Sequence, residues 1–99
     1  MNYLSKLKVM IINDEIIQLM MLKMIVKREM HLQDEDILSV QSGTLACEEF
    51  VKQHFDLVIV DLCMPIMNGF ETAVNIRRLA VGYEPFILAV SANIDPITV

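Results

Sequence analysis

Glycine and proline are scarce in this sequence, three of each in 99 residues, and tryptophan is absent. Gly43, Gly69 and Gly82 stand too far apart to build a phosphate-cradling loop, which needs glycines within a few residues of one another. The two cysteines, Cys47 and Cys63, are in no C-x-x-C spacing, and no histidine stands near enough to suggest zinc. They do not read as a disulfide framework, and reduced thiols in a cytoplasmic setting are expected. Basic residues are few as well: eight Lys and Arg against thirteen Asp and Glu leave a net charge of −5. A nucleic-acid surface needs clustered cations, so none is expected. Lys27-Arg28 and Arg77-Arg78 are pairs at predicted helix ends, where cations suit the helix dipole. No apolar run is long enough for a membrane span, because Asp14, Lys23, Asp61 and Glu84 interrupt the candidates. The apolar part of residues 1–12 runs into Asn13-Asp14-Glu15 instead of a small-residue cleavage site, so it does not read as a signal peptide.

What is abundant is apolar residues, 55% of the chain, which suggests strands covered on both faces. Two kinds of segment alternate. Residues 7–12 (LKVMII), 36–40 (DILSV), 57–60 (LVIV) and 85–90 (PFILAV) are short apolar runs of strand length. Between them, residues 15–30, 44–53 and 69–80 read as helices. In the second helix Ala46, Cys47, Phe50 and Val51 are predicted to share an inner face; in the third, Phe70, Ala73, Ile76 and Ala80. Helical crossovers between short apolar strands predict a parallel sheet, and right-handed crossovers make a doubly wound α/β fold the leading topology. Chemistry in such sheets gathers at the carboxyl ends of the strands.

Those ends carry Asn13, Asp14 and Glu15 after the first strand and Ser42-Gly43 near the end of the second. Asp61, Leu62 and Cys63 follow the third, and Ser91, Ala92 and Asn93 the fourth. Two carboxylates brought together repel unless a cation joins them, and Mg²⁺ takes one or two carboxylates plus waters and a substrate phosphate. A carboxylate can also attack a phosphoryl group. Asp14 and Ser42 equally suit helix N-caps, and Asn68-Gly69 suits an ordinary turn into a helix. Asp61 is harder to explain in that way, because a carboxylate closing a wholly apolar strand must find compensation.

Three blocks resemble the response-regulator receiver domain. Val9-Met10-Ile11-Ile12-Asn13-Asp14-Glu15 looks like the family's first strand and acidic turn. Asp61-Leu62-Cys63-Met64-Pro65-Ile66-Met67-Asn68-Gly69 looks like its phosphoacceptor loop, and Ala89-Val90-Ser91-Ala92 like its fourth strand with a hydroxyl and a small residue at the end. The resemblance implies a flavodoxin-like fold and a phosphorelay role. Asp61 would be phosphorylated, and Asp14, Asp61 and the Cys63 backbone carbonyl would hold Mg²⁺. Ser91 would bond a phosphoryl oxygen, with the backbone N–H groups of Cys63 and Ala92 helping. The donor would be phosphohistidine on a histidine kinase or phosphotransfer protein, and no turnover enzyme is expected.

Two features depart from the family pattern. Asn13 stands where the family usually has a second acid that reaches the metal through water, so metal binding should weaken. Residues 1–99 also stop where the family's fourth helix would begin, leaving out the last helix-strand-helix part and the Lys that ends the fifth strand. No Lys lies beyond Lys52. The expectation is a receiver domain incomplete at its C-terminus, with further domains or a partner chain completing it. The fourth strand would then be an open apolar edge, and the first helix, apolar nearly all round, would need cover on more than one side.

Two other functions compete. A pseudo-receiver would be an interaction module of this fold without phosphoryl chemistry, as Asn13 and the missing Lys suggest. A haloacid-dehalogenase-type phosphatase also uses an aspartyl nucleophile, but places it after the first strand in a D-x-D pattern that the loop after the third strand lacks. The eight methionines are expected to fill core space, and His31 and His54 to be ordinary surface residues.

Overall fold

A computed structural model of the protein describes residues 7–62, 64 and 68–90. Strand β1 (Val9–Ile12) leads to helix α1 (Ile16–Glu29), and β2 (Ile37–Val40) to α2 (Gly43–Phe50). Then come β3 (Leu57–Asp61), α3 (Gly69–Leu79) and β4 (Phe86–Val90). All seven expected elements are present, with ends shifted by up to three residues, and a 3-10 turn at Asp34–Asp36 is added before β2. The strands are parallel and ordered β2-β1-β3-β4.

Alternation along the strands divides the core in two. Met10, Ile12, Val40, Val58 and Val60 meet α2 and α3 through Ala46, Phe50 and Ile76. Val9, Ile11, Ile37 and Ile59 form the other half with Leu19 and Val26 of α1. Covered on both faces, β1 is buried throughout, which is why its sequence carries no polar alternation. Burying each such Val or Ile side chain contributes roughly 1.5–3 kcal/mol before entropy is counted.

Local signals set the helix ends. Ser42 caps α2, its hydroxyl accepting from the Leu45 N–H at 3.0 Å. At α3 the Asn68 side chain accepts from the Glu71 N–H (2.9 Å) while Glu71 accepts from the Asn68 N–H (3.1 Å), a reciprocal capping box. Helix α1 closes with Leu32 N–H donating to the Lys27 carbonyl (2.9 Å) and His31 N–H to that of Arg28 (3.4 Å). This Schellman arrangement places His31 at φ 55°, in the left-handed region.

Two expected helix faces need correction. Helix α3 buries Gly69, Thr72 and Ile76, so Phe70 points outward and is 66% exposed. Seating Gly69 against the sheet fixes the helix rotation, leaving Ala73 and Ala80 only partly covered. Helix α2 ends at Phe50, and Val51 is exposed in the following turn. Among the described residues β4 lies at an edge of the four-stranded sheet, with Phe86 and Leu88 exposed.

Candidate functional site

The sheet order decides which strand ends meet. Strand β1 lies between β2 and β3, and its register pairs Ile12 with both Val40 and Val60. Asn13-Asp14 and Asp61 therefore leave neighbouring strands side by side, strands that run about 4.8 Å apart. The chain order reverses direction here, and ligands of doubly wound sheets lie at this crevice.

Asp61 ends an apolar strand and is only 4% exposed. Its register partner on β4 is Val90, the residue before Ser91. Beyond Asp61 the backbone is held on two sides. Leu62 N–H donates to the Val90 carbonyl at 2.8 Å, and the Leu62 carbonyl accepts from the Gly69 N–H at 3.2 Å. Gly69 is seated so closely that a Cβ would overlap the Asp61 carbonyl oxygen and Leu62 Cα. Thr72, fully buried one turn later, donates its hydroxyl to the Asn68 carbonyl at 2.9 Å. The first turn of α3 is thus fastened to the peptide that follows Asp61.

The turn after β1 is organised by Asn13, which is 2% exposed. Its N–H donates to the Val40 carbonyl (3.1 Å) and extends the ladder to β2. Its side-chain oxygen accepts from the Glu15 N–H at 2.9 Å, and its amide donates to Gln18 Oε1 at 3.1 Å. Asn13 therefore holds the entrance to α1, a short-range turn in which an Asn or Asp oxygen takes a backbone N–H two residues on. The N-cap position falls on Glu15, which makes no side-chain cap bond, so Asp14 is not used as a cap. Asp14 sits half-buried between Asn13 and Glu15.

The donor chemistry suits a hard cation. The adjoining strand ends offer the carboxylates of Asp14 and Asp61, and Mg²⁺ commonly uses one or two carboxylates with water completing its shell. Among the described residues no group of three or more His, Cys, Asp and Glu side chains comes together. Cys63, Ser91 and Ala92, together with Pro65, Ile66 and Met67 of the loop motif, lie outside the described residues.

Some features were not legible beforehand. Gly69 reads in sequence as a turn residue, and its contact with Asp61 has no local signal. Gln18 as the anchor of Asn13 has none either. At the opposite end of the sheet, His54 Nε2 lies 2.7 Å from Asp56 Oδ1, and its ring stands 4.2 Å from that of Tyr83. Asp56 also accepts from the Lys8 N–H at 2.9 Å, so this group fastens the strand entrances. In α2, burial pushes the Cys47 thiol above its ordinary pKa, which disfavours the reactive thiolate. No helix among the described residues is long and apolar enough to cross a membrane.

The response regulator receiver domain family matches residues 9–99. Histidine kinase 5 of Arabidopsis thaliana is 29% identical over 94 residues, 92% of this chain and 9% of that protein. The sensor protein EvgS of Escherichia coli K12 is 34% identical over 56 residues, 57% of this chain and 5% of that protein. The chain thus spans less than a tenth of the length of these curated relatives. Among solved structures, the receiver domain of the histidine kinase CKI1 from Arabidopsis thaliana, complexed with Mg²⁺ and BeF3⁻, is 26% identical with a TM-score of 0.78. That match covers 95% of this chain and 70% of that one. A chemotaxis protein of Vibrio cholerae, CheY4, shares the fold at 23% identity and a TM-score of 0.78, covering 95% of this chain and 75% of that one. With the motif blocks at the ends of β1, β3 and β4, a parallel β2-β1-β3-β4 sheet and a family match over nearly its whole length, the chain belongs to the response regulator receiver domain family, a signalling module of two-component systems.

Proposed function

We propose that the chain accepts a phosphoryl group on the Asp61 carboxylate from phosphohistidine on a histidine kinase or phosphotransfer protein, in the cytoplasm. The observation that carries this reading is the placement of Asp61. It is nearly buried at the end of β3, beside the acidic turn that ends β1, with the backbone after it pinned to β4 and α3. The sensor and histidine kinases among its relatives support the choice of donor.

In this reading Asp14, Asp61 and the Cys63 carbonyl hold Mg²⁺, with Asn13 contributing weakly through water. The bound ion supplies positive charge that neutralises and orients the phosphoryl oxygens. One Asp61 carboxylate oxygen attacks phosphorus; the new P–O bond forms as the donor P–N bond breaks, and the electron pair leaves on the imidazole nitrogen. The pinned Leu62 peptide keeps that carboxylate in position, which is most of what phosphoryl transfer asks of a protein. Ser91 then donates to a phosphoryl oxygen, and the Ala92 and Cys63 N–H groups add further donors. The chain changes its own covalent state and is not a turnover enzyme.

The test is incubation with Mg²⁺ and acetyl phosphate. The expected product is an acid-stable, base-labile phosphate that Asp61→Asn abolishes; a folded wild-type chain that takes up no label ends the proposal. A second reading, a pseudo-receiver acting only through protein contacts, is favoured by Asn13, whose amide is committed to Glu15 and Gln18. Calorimetric titration with Mg²⁺ separates the two, since an interaction module has no need to bind the ion.

A further inference from the structure

Asn68-Gly69 is the only place in the sequence where an asparagine precedes a glycine. Asparagine is chemically labile in water where the next backbone nitrogen can reach its side-chain carbonyl carbon. Glycine allows the closest approach, because it has no Cβ to crowd that nitrogen. After Asn13 and Asn75 the following residues, Asp14 and Ile76, carry side chains that hinder the same attack. In the fold both reacting groups of the pair are engaged. The Asn68 side-chain oxygen accepts from the Glu71 N–H at 2.9 Å, and the Gly69 N–H donates to the Leu62 carbonyl at 3.2 Å. The Glu71 carboxylate accepts from the Asn68 N–H at 3.1 Å and completes the capping box. Attack requires the Asn68 side chain to leave Glu71, and the Gly69 nitrogen to lose the proton that it donates to Leu62.

We propose that Asn68-Gly69 is a self-modification site: the native fold holds the reaction back, and its isoaspartate product cannot return to the native junction of β3 and α3. The Gly69 nitrogen bonds to Asn68 Cγ, the Cγ–Nδ2 bond breaks, and ammonia leaves with that electron pair and the Gly69 proton. Water then opens the cyclic imide at either of its carbonyls. Opening at one restores the ordinary backbone, with aspartate at position 68. Opening at the other gives isoaspartate, in which the chain runs on through the side-chain carbon and is longer by one methylene. The two products differ in what they do to the fold. Aspartate caps helices as well as asparagine does, and its charge suits a helix N-terminus. Isoaspartate displaces Gly69, which has no room to move: a methyl group there already overlaps the Asp61 carbonyl oxygen and Leu62 Cα. The added methylene therefore breaks either the cap or the Gly69 bond to Leu62, and releases the peptide that follows Asp61. A chain that has once opened at this junction is marked covalently.

Ageing of the full chain in mildly alkaline buffer, followed by peptide mass spectrometry, tests this. In urea Asn68 should deamidate ahead of every other asparagine. Without urea the same site should react roughly tenfold more slowly, because the cap and the Leu62 bond must both open. Glu71→Ala removes one arm of the capping box and should speed the native reaction about two- to fivefold, leaving the rate in urea unchanged. Chromatography then separates the products. The isoaspartate form should melt below the unmodified chain, whereas Asn68→Asp should melt with it. If Asp61 is the phosphoacceptor, as proposed above, the isoaspartate form should also label more slowly with acetyl phosphate; the melting comparison stands without that reading. Equal rates at Asn68 with and without urea, or an isoaspartate form that melts like the unmodified chain, overturns the proposal.

Discussion

Gly69 lies against the peptide unit that joins Asp61 to Leu62, so closely that even a methyl group would overlap the Asp61 carbonyl oxygen. The first residue of α3 and the last residue of β3 are thereby locked into one unit, with the Gly69 N–H bonded to the Leu62 carbonyl.

Gly69→Ala should force these backbones apart. A loss of roughly 2–3 kcal/mol is expected, the usual cost of overpacking, and urea unfolding measures it. If Asp61 is the phosphoacceptor, the folded variant should also label more slowly with acetyl phosphate, because the displaced atoms belong to its own peptide.

Asn13→Asp tests the metal reading from the other side. The substitution adds a carboxylate next to Asp14 and Asp61 and removes the amide that donates to Gln18. Without Mg²⁺ the variant should lose about 1–2 kcal/mol to repulsion and the broken bond. Mg²⁺ should bind about tenfold more tightly and recover most of that stability. Thermal melts with Mg²⁺ and with a chelator read both effects, and equal melts in the two conditions would count against a metal at this turn.

Asp34 supplies a pH dependence away from the site. The Lys27 ammonium beside it, aided by Lys23, holds its carboxyl below the ordinary carboxylate value. A depressed folded pKa stabilises the fold above the unfolded value, and that stabilisation is lost as pH falls through the folded one. The Asp34 carboxyl carbon, followed by NMR, should titrate below the ordinary range and return toward it in Lys27→Met. Stability at neutral pH should barely change, because the pair is exposed to solvent and salt.

His31→Gly should stabilise the chain by about 0.5–1 kcal/mol. His31 holds a positive φ at the end of α1, where a Cβ costs roughly 1–2 kcal/mol. Part of the gain is offset by the greater freedom of glycine in the unfolded chain. A higher melting midpoint measures the difference, and an unchanged one would mean that the His31 side chain contributes contacts of equal worth.

The sequence by itself determined what depends on neighbours along the chain. The run Leu57–Asp61 announced a buried strand ending in a charge, Ser42 announced a cap and Asn68-Gly69 a turn into a helix, because those preferences act over three or four residues. Asp14 and Asp61 could be singled out as acids at strand ends for the same reason. Only the tertiary structure decided that β1 and β3 are neighbours, since strand pairing joins residues some fifty positions apart. Packing likewise turned Phe70 outward: Gly69 could seat in one place only, and the rest of α3 followed its rotation. Asn13 shows the same division. Its type was legible as a departure from the family pattern, whereas its commitment to Glu15 and Gln18 depended on how the helix leaves the sheet.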